Sequence, residues 1–299
     1  MKIKDTKANK IFMLFILIFF SIVFLNAKFS KRELSETTID INKSLNIETI
    51  SANINVWVKD DIDDVIVKYS TKENGSLEVD ENKNSVDIKE KTKKSLFFFY
   101  FKNESPTLSI YLPSNYSQDL SLKSISGKIE SYNNLNLNNL EINTTSGDLY
   151  FLDIKTNNEL SIKTLSGAIK LENVTSNEID FSSTSGEIET YTLKSNNIDI
   201  SNISGEIYID KIYADNINVS VTSSDVELDY LDIINQIDLK SVSGDIDLIL
   251  NDKNYKYMAK TTSGIISIDK TEYDNDFSTS EGLPVNLKTV SGEININTK

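Results

Sequence analysis

The sequence contains no cysteine and no histidine, and its one arginine is Arg32. Without cysteine there is no disulfide, no thiol nucleophile, no thiolate metal site and no cysteine-borne lipid. Without histidine, the usual general base near neutral pH and the commonest metal ligand are both missing. One arginine leaves no guanidinium clamp for phosphate or carboxylate beyond the N-terminal region. Apolar residues make up 39% of the 299, too many for wholesale disorder yet few for one thick core. A thin, repetitive core suits that balance.

Positive charge is also scarce. The net charge is −14, and Lys2, Lys4, Lys7 and Lys10 against Asp5 make the first 27 residues +3, which leaves −17 for the remainder. So acidic a surface repels nucleic acid, and no nucleic-acid partner is expected.

One long apolar run is present. Ile11–Leu25 reads IFMLFILIFFSIVFL, with Ser21 its only polar residue, after four lysines and before Asn26-Ala27-Lys28. The positive-inside rule places the N-terminus in the cytoplasm and the rest of the chain outside. Fifteen residues fall short of the roughly 20 that span a bilayer comfortably. They also match the apolar core of a signal peptide, with Leu25-Asn26-Ala27 as a mediocre cleavage site. An uncleaved helical anchor is preferred to a cleaved signal, which would give a secreted protein. Residues 1–10 then form a cytoplasmic basic tail, 11–27 the transmembrane or signal segment and 28–37 a linker.

What dominates the remainder is repetition. Ser-Gly recurs with Gly127, Gly147, Gly167, Gly186, Gly205, Gly244, Gly264 and Gly292, and Ser223-Ser224-Asp225 stands where a further copy belongs. The steps are 20, 20, 19 and 19, then 39, 20 and 28. Two residues after each glycine comes an aliphatic residue, from Ile129 and Leu149 through to Ile294. Before each Ser-Gly the sequence alternates, as in Leu140-Glu-Ile142-Asn-Thr144, and a third apolar site falls near Leu135, Val174, Leu193 and Leu231. Alternation predicts strands with one buried face, and a glycine at a fixed place predicts a corner needing positive φ or close approach. A 20-residue unit cannot bury its own face, so units must stack. The prediction is an all-β, single-stranded β-solenoid over 121–299, its nine coils making a rod of roughly 40 Å at about 4.8 Å per coil.

Residues 38–120 alternate without Ser-Gly and are expected to start and cap the solenoid. Val65–Tyr69 and Leu77–Val79 flank Asn74-Gly75, a hairpin signal, and Ser85–Ile88 is expected to pair back on the latter strand. The strands close with Leu108-Ser-Ile110-Tyr-Leu112-Pro113. That ending, followed by serial Ser-Gly-x-Ile units, resembles the “putative adhesin”, or toastrack, family of β-strand-repeat proteins over about residues 38–299. The resemblance implies an elongated, β-helix-like domain of unknown function at the surface of mostly Gram-positive cells. It also implies, for some members, a part in cell-envelope stress signalling beside small membrane proteins. It supplies no catalytic residue.

Two groups of residues are candidate sites. The residue after the glycine is often acidic, and in register Glu187, Glu206, Asp225 and Asp245 would form a column of carboxylates about 5 Å apart. Such a column either splays into solvent as a screened ladder or holds a cation, for which oxygen ligands suit calcium. Calcium is the one cofactor in view, and the solvated ladder is the preferred reading. The second group is Leu96, Phe97, Phe98, Phe99, Tyr100 and Phe101, flanked by Lys93, Lys94 and Lys102. Six apolar residues that do not alternate fit either a patch meeting membrane or partner, or a strand covered on both faces.

The expected function is non-enzymatic: a membrane-anchored, extracytoplasmic binding module contacting another envelope membrane protein in stress sensing or regulation. The alternative is a surface adhesin binding glycan, wall polymer or host protein. A calcium-dependent, polysaccharide-active β-helix enzyme is a second alternative, weakened by the absence of arginine from the rod.

Overall fold

The computed structural model describes residues 33–71, 75–92 and 105–299. These form 24 strands and no helix, joined in one continuous sheet. The alternation seen in the sequence becomes alternation of burial: along Leu140–Thr144 the first, third and fifth residues are buried. That strand lies parallel to Leu120–Ser124 on one side and Leu160–Thr164 on the other, with Ile142 opposite both Leu122 and Ile162. Each apolar side chain therefore packs on its equivalent one coil away, and the core is a stack of Ile, Leu and Val columns.

Each coil has one strand before its corner and one after it. The second strand bends, as at Phe151/Asp153, and turns the third apolar residue inward, so Leu135, Ile154, Val174, Leu193, Ile212 and Leu231 are all buried. The rod thus follows the predicted period.

The N-terminal strands are β1 (Glu33–Ile39), β2 (Ser44–Thr49), β3 (Asn53–Lys59), β4 (Val65–Thr71), β5 (Gly75–Glu81), β6 (Ser85–Thr92) and β7 (Thr107–Pro113). β2 and β3 already form a full coil, lying parallel to β8 (Leu120–Ser124) and β9 (Ile129–Leu137). Beyond that coil, β6 continues one wall and β7 the other. β5 folds antiparallel onto β6 with Val79 opposite Ile88, as the alternation predicted. The strands flanking Asn74-Gly75 do not pair with each other: β4 pairs antiparallel with β1 and β7, which occupy both its edges. Its buried Val65, Val67 and Tyr69 close the end of the core.

At the other end the stacking departs from chain order. β17 (Val226–Ser243) and β18 (Ile246–Leu250) are followed in sequence by β19 (Tyr255–Lys260) and β20 (Ile266–Ile268), then by β21 (Thr271–Tyr273), β22 (Asp276–Ser278), β23 (Leu283–Lys288) and β24 (Ile294–Thr298). In space β23 lies between β17 and β19, and β24 between β18 and β20. The chain skips one level, turns back through β21 and β22, and fills the gap last. The 28-residue step between the last two Ser-Gly glycines, Gly264 and Gly292, follows from this detour.

Candidate functional site

The corner defines the molecule's surface. Ten coils bring Ala52, Gly127, Gly147, Gly167, Gly186, Gly205, Ser224, Gly244, Gly292 and Gly264 into one column, each against its predecessor. At Gly167 the reason is space: a Cβ there would lie 2.0 Å from the Gly147 carbonyl oxygen, inside any real contact. At Gly205 the backbone also takes φ +115°, where a side chain is strained. Ser224 fills the predicted irregular position and is buried.

Hydroxyls hold the turn. Three residues before the glycine a buried Ser or Thr accepts its N–H, as with Gly127 to Ser124 Oγ (2.9 Å), Gly167 to Thr164 Oγ1 (2.8 Å) and Gly186 to Ser183 Oγ (2.7 Å). The serine of Ser-Gly donates to a carbonyl of the preceding coil, Ser126 to Ile50 and Ser166 to Thr145. The first coil has no corner above it. There Glu90, 4% exposed, supplies the missing acceptor, and its Oε2 takes the N–H groups of Ile50 (2.6 Å), Ser51 (2.9 Å) and Ala52 (3.2 Å). The sequence signals were a Ser or Thr at fixed offset and a lone glutamate in the equivalent register.

These turns force the residue before Ser-Gly outward. Ile50, Ile125, Leu165, Ile203, Val242 and Val290 occupy that place and are 40–53% exposed. They make an aliphatic stripe along the corner, interrupted by threonines such as Thr145 and Thr184. Near the N-terminal end the stripe borders a groove of about 620 Å³, with Ile50, Ile125 and Leu165 along one side and Lys89, Lys91, Lys123 and Lys163 along the other. Each lysine has an acidic neighbour: Glu48 at 3.4 Å, Glu78 at 2.7 Å, Glu141 at 3.9 Å and Asp180 at 3.3 Å, respectively. Glu78's hydrogen bond and charge hold the Lys91 ammonium above its ordinary range. Exposed pairs of this kind are screened by solvent and weak, so the lysines can exchange partners.

The acidic column exists as predicted, with Glu187, Glu206, Asp225 and Asp245 stacked through Ile188 N–H to Glu206 O, Ile207 to Asp225 and Val226 to Asp245. Two of the four are turned to the backbone: Asp225 Oδ1 accepts the Asp245 N–H (2.9 Å) and Asp245 Oδ1 that of Glu293 (2.7 Å). Among the described residues no group of three or more acidic side chains is arranged to hold a metal ion. Leu96–Phe101 lies outside the described residues. Ile11–Leu25 lies outside them too.

A family model, Toastrack DUF4097, matches residues 41–297. The chain belongs to the Toastrack family. Among curated proteins, none matches it. Its solved likenesses include a “putative lipid binding protein” from Parabacteroides distasonis ATCC 8503, 17% identical with a TM-score of 0.56, covering 90% of this chain and 97% of that one. A “putative adhesin” from the same organism is 12% identical with a TM-score of 0.52 and the same coverage. Another from Parabacteroides merdae ATCC 43184 is 13% identical with a TM-score of 0.50, covering 90% and 96%. At these identities the likeness is one of fold.

Proposed function

We propose that this Toastrack chain is a non-enzymatic, membrane-anchored binding module of the cell envelope, acting in stress sensing or regulation beside another membrane protein. The observation that carries the reading is the lysine and aliphatic groove on the first four coils. It lies at the end of the rod where the chain enters from its N-terminal side, so an anchor at Ile11–Leu25 would hold it close to the bilayer. It also gathers four lysines, each beside a carboxylate it can exchange for a partner's, on a strongly acidic chain. Apolar surface bordered by cations suits a membrane-proximal partner with acidic groups beside an apolar stretch. The fold shared with a protein whose name includes lipid binding is consistent with such a surface.

The test is photo-crosslinking of the full-length protein in its own envelope, with the reactive group at Ile125 or Leu165. Recovery of an integral membrane protein supports the proposal. Recovery of wall polymer or external protein alone would overturn it in favour of an adhesin.

A further inference from the structure

The wall after the corner presents a different chemistry from the corner itself. Its outward residues include tyrosines set among carboxylates. Tyr132 and Tyr150 pack ring on ring with centroids 5.1 Å apart, and Tyr132 and Tyr191 are each about half exposed. A cavity of about 180 Å³ includes Tyr150, Tyr191 and Tyr208 in its lining. A second, of about 250 Å³, shares Tyr208 and continues along the rod past Glu206, Glu227 and Asp247. Together they form an interrupted trough that runs across the coils.

This wall already holds one ammonium group on an aromatic ring. Lys211 places its Nζ 4.2 Å from the centre of the Tyr191 ring, donates to the Tyr191 hydroxyl (2.8 Å), and lies 3.2 Å from the Asp210 carboxylate. Ring, hydroxyl and carboxylate thus act together on one cation. Around Tyr208 the same components recur with more acid: Lys170, in the first cavity, is paired with Glu189, and beyond Tyr208 the wall is carboxylate. Among the described residues no lysine forms an ion pair with Glu206, Glu227 or Asp247. Burial, and after it the charges of Asp229, Asp247 and Glu206, hold the Glu227 carboxyl above its ordinary range. A cation placed there would relieve that repulsion.

We propose that this trough binds an extended glycan carrying protonated amino groups, an amino-sugar polymer that is at least partly deacetylated. Sugar faces lie on Tyr150, Tyr191 and Tyr208, and the ammonium groups meet Glu206, Glu227 and Asp247. Flat C–H faces stack on tyrosine with little entropy loss, because the rings are held by the rigid coils. The carboxylates select against neutral and anionic sugars. The two cavities together cross several coils, so a polymer can engage more than one coil at once and gain avidity.

The experiment is calorimetric titration of the detergent-solubilised full-length chain with three probes: a glucosamine hexamer, its fully N-acetylated counterpart and a lysine hexamer. The glucosamine hexamer is expected to bind, and the other two at least tenfold more weakly. Y208A should lower its affinity by about three- to tenfold, in line with one lost aromatic contact. The double variant E227Q/D247N should lower it more than tenfold while leaving the thermal midpoint at or above that of the parent. Binding of the lysine hexamer as tightly as the sugar, with Y208A unaffected, would reduce the trough to a plain polyelectrolyte surface and overturn the proposal. So would the absence of binding by the glucosamine hexamer.

Discussion

Replacing Gly167 by alanine isolates what the corner column does. The new methyl carbon would stand 2.0 Å from the Gly147 carbonyl oxygen and 2.7 Å from its carbon. Both belong to backbone held in the stack, so neither can turn aside. Relief requires the two coils to part by more than 1 Å at the corner, which is about the amount separating 2.0 Å from an ordinary contact. The bonds at risk are Leu165 N–H to Thr144 (3.2 Å) and Ser166 N–H to Thr145 (3.0 Å), together with the Gly167 bond to Thr164. Two or three weakened bonds at about 1 kcal/mol each, added to overpacking of about 1–3 kcal/mol, give a destabilisation of about 3–6 kcal/mol. Ser224→Gly supplies the contrast. It removes a side chain from the same column and with it a buried hydroxyl that has no partner, so its effect should stay within about 1 kcal/mol. The assay is urea unfolding followed by circular dichroism, with hydrogen exchange resolving the corner amides. In a stack whose coils touch only their neighbours, G167A should lose protection around residues 144–147 and 164–168 first. A G167A protein within 1 kcal/mol of the parent would show that the coils separate freely, and the close-approach argument would fail.

Three further outcomes follow from features of the two ends and the surface. E90A strips the acceptor from three backbone amides of the first coil and should cost about 2–4 kcal/mol, with E90Q milder because its oxygen still accepts. Unfolding of both variants measures this, and an unaffected E90A would mean that water replaces the carboxylate. E227Q should melt no lower than the parent at pH 7. The folded protein raises the pKa of Glu227, so it binds the proton more tightly than the unfolded chain does, and ionisation costs stability as pH rises through that value. The advantage of E227Q should vanish on acidification, and a lower midpoint at pH 7 would refute the assignment. K123S/K163S should leave stability within about 1 kcal/mol, since their pairs are exposed, while reducing recovery of a membrane partner in the crosslinking experiment.

The coil architecture was legible because its physics is local and periodic. A residue such as Ile142 must face inward once its neighbours Glu141 and Asn143 face out, and a glycine that recurs every 19 or 20 residues marks one corner. The irregular copy at Ser223-Ser224 was placed correctly for the same reason. The pairing across Asn74-Gly75 was misread because turn chemistry says which residues can reverse the chain, whereas strand pairing depends on which edges are free. Both edges of Val65–Thr71 were claimed by strands remote in sequence. The detour of the last coil left a trace only in uneven spacing. Of the surface, the acidic column was foreseen but not that Asp225 and Asp245 turn to the backbone. The aliphatic stripe was overlooked because a residue adjoining Ser-Gly looks like part of a strand until the corner turns it outward.

The intercalated final coil governs when the molecule can be complete. Coils up to Leu250 can assemble one upon another as the chain emerges, each finding its template already in place. Residues 255–268 cannot, because the level beneath them is made from 283–298, which emerge afterwards. Those residues must wait as an unattached flap, or settle directly on Val226–Leu250 and then be displaced. The last coil enters like a key into a dovetail, pairing on both edges in one event. Once seated, it ties residues 255–268 to the rest of the rod, and it cannot peel away itself until that outer coil has left it. The last coil is thereby covered on both edges, and that closure waits until residues 283–298 have emerged.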